Sequence, residues 1–169
     1  STGATIADNI SVNNGIGSPR THSDIRVEQG STAGTTMDYD LVHLTTPDTL
    51  LIWSSVSYKS LSAFQAASGQ EAHGIDADPR WSAPGGGDFH LTAGSPAIDS
   101  ADSSVAGEPA TDVEGNPRVD DPGTADTGAG LAYSEAGHAR QAAMSANESV
   151  ETGEGRRSSR VVRFCIGLE

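Results

Sequence analysis

The sequence predicts an all-β chain of short strands joined by frequent turns, with one short helix. Three observations lead there. The composition is 35% hydrophobic and 5% aromatic with 20 glycines, which supports a narrow core and not a wide one. Short β-rich runs recur, each bounded by Gly, Asn, Asp or Pro. No segment between them reaches the length of a crossover helix, which disfavours a doubly wound sheet. A sandwich or a β-solenoid remains, and the irregular spacing of the runs does not choose between them.

The strand runs come in order. Thr5 to Val12 alternates partly and stops at Asn13-Asn14-Gly15, a turn signal. Ser23 to Val27 follows and closes at Gly30; Met37 to Leu44 and Thr49 to Trp53 come next. The exception is the stretch from Ser60 to Gly69. Ser60 can cap its amino end, Leu61, Phe64 and Ala67 share one face, and Gly69 can end it. A short helix is expected near 60–68.

The net charge is −13. That argues against nucleic acid as a partner, because such proteins carry a basic footprint. An anionic polysaccharide would need a bridging cation such as Ca²⁺. The plainer role of the acidity is to keep the protein soluble. A single cysteine, Cys165, excludes an intrachain disulfide. No apolar run reaches transmembrane length. The chain starts at Ser1 with no signal peptide, so an upstream part is expected.

From Tyr58 onward the order of motifs carries more information. The segment Tyr58 to Ile75 is followed by Asp78-Pro79-Arg80-Trp81, then Gly87-Asp88-Phe89-His90-Leu91. Gly94-Ser95-Pro96-Ala97-Ile98-Asp99 and Thr111 to Arg118 complete the series. With these gaps, the series resembles the carboxy-terminal region of secreted bacterial right-handed parallel β-helix proteins of the pectate-lyase-like and alginate-lyase-like kind. The resemblance spans about 6–129 and is strongest over 58–118. It implies β-helix coils over 1–57, then a short helix, last coil and carboxy-terminal cap over 58–130. It also implies a secreted or cell-surface location in bacteria and a polysaccharide partner. On this reading Phe89, Leu91, Ala97 and Ile98 cover the open end of the coil stack, and Asp99 and Asp112 accept turn amides.

Asp126-Thr127-Gly128-Ala129 matches the end of the family pattern, but Gly130-Leu131 departs from it. Residues 1–130 hold 18 acidic and 5 basic side chains, whereas 131–169 hold five of each. The tail over 131–169 is read as aberrant or poorly ordered, the product of a shifted reading frame or an artificial junction. A helix over 133–147 and a strand over Val161-Val162-Arg163-Phe164 are its expected elements.

Candidate chemistry is sparse. β-Elimination on a uronate needs a base beside the carboxyl and a cation to neutralise it. The resemblance implies Lys or Arg as base, and Lys59 is the sole lysine. Arg80 and Trp81 can flank a sugar, although Trp81 also suits the cap core. Glycoside hydrolysis needs two carboxylates roughly 5 to 10 Å apart. Asp76 and Asp78 have the spacing to share one side of a strand, as do Asp38 and Asp40, and such pairs arise by chance in so acidic a chain. Asp120, Asp121 and Asp126 form a candidate calcium site. The histidines show no metal-binding spacing, and no nucleophile elbow or phosphate loop is present. Three readings stay open: a polysaccharide lyase-like fragment, a non-catalytic cap or glycan-binding module, and a glycoside hydrolase.

Overall fold

The computed structural model describes residues 3–112, 114–118 and 120–130. The tail helix and strand expected after 131 lie outside the described residues.

Strands β1 (Thr5–Ala7), β2 (Ile10–Val12) and β3 (Ile25–Val27) follow one another. Strands β4 (Thr36–Asp38), β5 (Leu41–His43) and β6 (Leu51–Trp53) repeat that order. Each member of the second set lies parallel to its counterpart in the first: Thr5 pairs with Thr36, Ile10 with Leu41 and Ile25 with Leu51. Strand β7 (Val56–Tyr58) folds back antiparallel on β6. Strand β8 (Ile75–Asp76) adds a third parallel strand to β5. Strands β9 (Trp81–Ala83) and β10 (Asp88–Leu91) form a separate antiparallel pair. The chain is therefore mostly strand, with parallel sheets and one short helix; the described strands close no barrel.

The expected strand runs are present but broken. Thr5 to Val12 splits at Asp8-Asn9, and Met37 to Leu44 splits at Tyr39-Asp40. Asp8 and Tyr39 sit in the left-handed region at φ 61° and 62°, and Glu71 does so at 56°. Each break is a corner between two sheets. The corner leaves backbone amides without strand partners, and carboxylates from the adjacent turn of chain accept them. Asp40 Oδ1 accepts from both the Asn9 amide (2.8 Å) and Asn9 Nδ2 (2.7 Å). The Asp40 amide donates to Glu71 Oε2 at 3.2 Å, and the Asp102 amide to Asp8 Oδ1 at 2.7 Å.

Two apolar clusters build the core. The first joins Ile6, Ile25, Val27, Met37, Val42, Leu50 and Leu51 to Leu61 and Phe64. The last two belong to α1 (Leu61–Ser68), which begins where expected: Ser60 Oγ accepts from the Ala63 amide. Gly69 ends it in the left-handed conformation at φ 69°. Phe64 is fully buried, edge-on to Trp53 and Tyr58 at centroid distances of 5.9 and 5.3 Å.

The second cluster joins Ile10, Val12 and Leu41 to Ala97 and Ala101, flanked by Ile75, Trp81 and Leu91. Leu41 and Val42 are adjacent on β5, so they point to opposite faces of the sheet. Strands β2 and most of β5 are thus buried on both faces, while Asp76 on β8 is exposed. This corrects the expected cap: Leu91 and Ala97 cover the outer side of that sheet, and α1 supplies the cover for the inner cluster. A helix face can seal that cluster because Leu61 and Phe64 lie three residues apart.

The hairpin β6–β7 was not legible beforehand. Its turn is Ser54-Ser55, with φ of 52° and 68°. Both residues are left-handed, as a tight hairpin requires, but the pair is not the usual Asn-Gly.

Phe64→Ala is expected to lower the unfolding free energy by about 3–5 kcal/mol, through lost burial and a residual cavity. Val56→Ala, on the exposed hairpin strand, is expected to stay within about 0.5 kcal/mol. Urea titrations of both variants check this, and near-equal losses would refute the role given to α1.

Candidate functional site

Three groups of polar side chains are organised by this fold. The first is on the surface beside the corner at Tyr39. His73 Nδ1 meets Asp38 Oδ2 at 2.9 Å, and the His73 amide donates to Asp38 Oδ1 at 2.8 Å. The His73 ring stacks on Tyr39, with centroids 4.4 Å apart and planes 11° from parallel. Tyr39 is turned outward by its left-handed backbone, and the residues on either side, Asp38 and Asp40, go to different environments. Asp38 is half-buried against His73, while Asp40 is sealed inside. On the neighbouring strands, His43 Nδ1 lies 3.6 Å from Asp76 Oδ1. This surface offers a flat ring pair beside carboxylate and imidazole groups, the elements that bind sugar rings and hydroxyls.

The second group is the buried corner. Asp8, Asp40 and Glu71 are 7%, 0% and 0% exposed. Burial above all pushes the Asp40 and Glu71 carboxyls upward; the Asp40 charge raises Glu71 further, while hydrogen bonding to the Glu71 side chain partly offsets the rise at Asp40. Burial also raises Asp8, to about 7. Asp24, beside the internal Ser11 and Asn14, is raised to about 6 for the same reason. These groups are closed off from any polymer and serve the fold.

The third group brings together Asp99, Asp120 and Asp126, each with a carboxylate oxygen within 4.8 Å of the others. Such a trio can hold a metal ion. It overlaps the expected set but is not identical to it. Asp121 is occupied in a local turn, accepting from the Gly123 amide at 2.9 Å and from Thr124 Oγ1 at 3.0 Å. Asp99 takes its place. This corrects the expectation that the Asp99 carboxyl accepts turn amides: its backbone carbonyl does so, from Thr127 and Gly128, both at 2.9 Å. Asp112 behaves as expected, accepting from the amides of Glu114 and Asn116.

The remaining candidates are dispersed. Lys59 is exposed in the link between β7 and α1. Strand β8 ends at Asp76, so Asp78 does not share its face by strand alternation. Asp78 Oδ1 instead accepts from the Arg80 amide at 2.8 Å. Trp81 packs edge-on to Phe89 at 5.0 Å, in the layer over β2–β5–β8. Arg80 is exposed beside it, its guanidinium over Gly94. The stack of Tyr39 on His73 was missed because the two residues are 34 positions apart and meet only through strand stacking. No family model, curated protein or solved structure matches the chain.

The raised carboxyls set a pH dependence. An unfolded chain releases these protons near the ordinary value of 3.8, whereas folded Asp24 and Asp8 hold theirs to about 6 and 7. The folded state therefore binds more protons in between, and stability is lost as pH rises through that window. The Tm is expected to fall between about pH 4 and about pH 7, and Asp8→Asn to flatten the fall. Thermal melts by circular dichroism test this; a Tm that climbs over the interval contradicts it.

Proposed function

We propose that this chain is part of a secreted bacterial carbohydrate-active protein with a right-handed parallel β-helix of the polysaccharide-lyase-like kind, and that the described part binds glycan. The observation that carries the proposal is the repeated strand order. Three parallel pairings recur in sequence, and a 31-residue offset links stacked corner positions. That succession is what a solenoid produces when each turn of chain lies on the last. The resemblance over 58–118 points to the same architecture and to polysaccharide.

Binding is favoured over cleavage within these residues. Lys59, the candidate base, forms no ion pair among the described residues. Asp76 contacts His43 and Asp78 contacts a backbone amide, so neither is held as one of an acid–base pair. The outward stack of Tyr39 on His73, beside Asp38, is the surface proposed to meet the sugar. A chain of net charge −13 meets an anionic glycan only through a bridging cation, and calcium, which prefers carboxylate oxygens, is the ion proposed.

Titration calorimetry with pectate, alginate and a neutral glycan, with and without calcium, tests this. Binding of a uronate polymer in calcium is expected. Tyr39→Asn removes the aromatic face yet tolerates the left-handed corner, and is expected to weaken binding by about tenfold. Absence of binding to every glycan overturns the proposal. Ultraviolet-absorbing unsaturated products would establish lyase activity in its place.

A further inference from the structure

We infer that Asp99, Asp120 and Asp126 form a divalent-cation site of the calcium class, which ties the strap over 120–126 to the buried layer at 97–101. The inference is independent of the glycan reading. It rests on two separate observations: the convergence of the three carboxylates and the state of Asp99.

Asp99 is 2% exposed, and neither of its carboxylate oxygens has a hydrogen-bond partner among the described residues. The Asp121 backbone amide approaches the carboxylate and partly offsets its burial, without meeting hydrogen-bond distance and angle. A buried carboxylate left this way is costly unless something positive meets it. None of the three aspartates forms an ion pair among the described residues. Arg118 is the only basic residue between 97 and 129, and it is engaged by Glu108.

The geometry suits a cation. Calcium takes oxygens at about 2.3–2.6 Å, so ligands on opposite sides of it lie about 4.6–5.2 Å apart. The three carboxylate oxygens all fall within 4.8 Å of one another. Asp120 and Asp126 are exposed, which leaves room for water to complete a hard-cation shell. The backbone holds Asp126 in place. The Thr127 and Gly128 amides bond to the Asp99 carbonyl, and the Ala129 amide to the Ala101 carbonyl at 3.0 Å. Gly128 permits this approach, since a Cβ there would lie 2.1 Å from the Ala101 oxygen. An all-carboxylate set favours calcium over zinc or copper, which prefer nitrogen and sulfur.

The test uses the full chain and calcium chloride itself. Calorimetry should show a saturable site, and Tm should rise in calcium beyond its value in sodium chloride of equal ionic strength. Asp120→Asn and Asp126→Asn should each weaken affinity by about tenfold or more, while Asp121→Asn leaves it unchanged. Asp99→Asn should abolish the calcium response yet melt no lower than the parent in chelator, because it removes a buried unpaired charge. Calcium acting no better than sodium overturns the inference. So does calcium binding that survives Asp99→Asn and Asp126→Asn.

Discussion

The structure depends on how the chain rounds the corners between β1 and β2, between β4 and β5, and ahead of β8. Three residues there, Asp8, Tyr39 and Glu71, adopt left-handed backbone. Such corners free amides from the strand ladder, and no water reaches them. Carboxylates from the next turn take their place: Asp40 accepts from Asn9, and Glu71 from Asp40. The same bonds set how one turn lies upon another, because each spans 31 residues of sequence. Register, strand pairing and the two apolar clusters follow from that alignment. The consequence is a column of acid groups held in a dry interior, with proton affinities well above those of free carboxylates.

The same alignment creates the surface. A left-handed Tyr39 separates a half-exposed Asp38 from a sealed Asp40, and brings Tyr39 against His73 of the following turn. The carboxy-terminal stretch then covers the outer face of β2–β5–β8 through Ala97 and Ala101. That cover places Asp99 inside and leaves Asp120 and Asp126 outside, so a single cluster spans the boundary between core and solvent. Among the described residues, three groups of acids are set apart by this arrangement: internal structural acids, surface acids beside histidine, and a strap cluster facing a buried carboxylate.

Local signals in the sequence carry the outcome where a local interaction decides it. Ser60 and Gly69 bound α1 as their side-chain and backbone chemistry dictates. The β-rich runs became strands, and Asp112 folded its own turn. Two expectations are overturned by local detail. The spacing of Asp76 and Asp78 places them on one side of a strand only if alternation continues past Asp76, but the strand stops there, ahead of Pro79. Asp121 looked like a ligand and is consumed by Gly123 and Thr124.

What the amino-acid sequence determined alone is the texture: short strands, one capped helix, an acidic narrow-cored chain with few candidate catalytic groups. Those properties follow from turn chemistry, composition and periodicity within a few residues. Tertiary structure decided which strands stack in parallel, which face of β2–β5–β8 receives the carboxy-terminal layer, and which aspartate joins Asp120 and Asp126. These depend on contacts between residues about 20 to 95 positions apart, whose partners are chosen by burial and by the need to satisfy orphaned amides. Two aspartates of one sequence, Asp40 and Asp99, are both fully enclosed. One is met by the Asn9 amides and the other by no hydrogen bond among the described residues. Only distant contacts separate an acid that accepts backbone amides from one that faces Asp120 and Asp126.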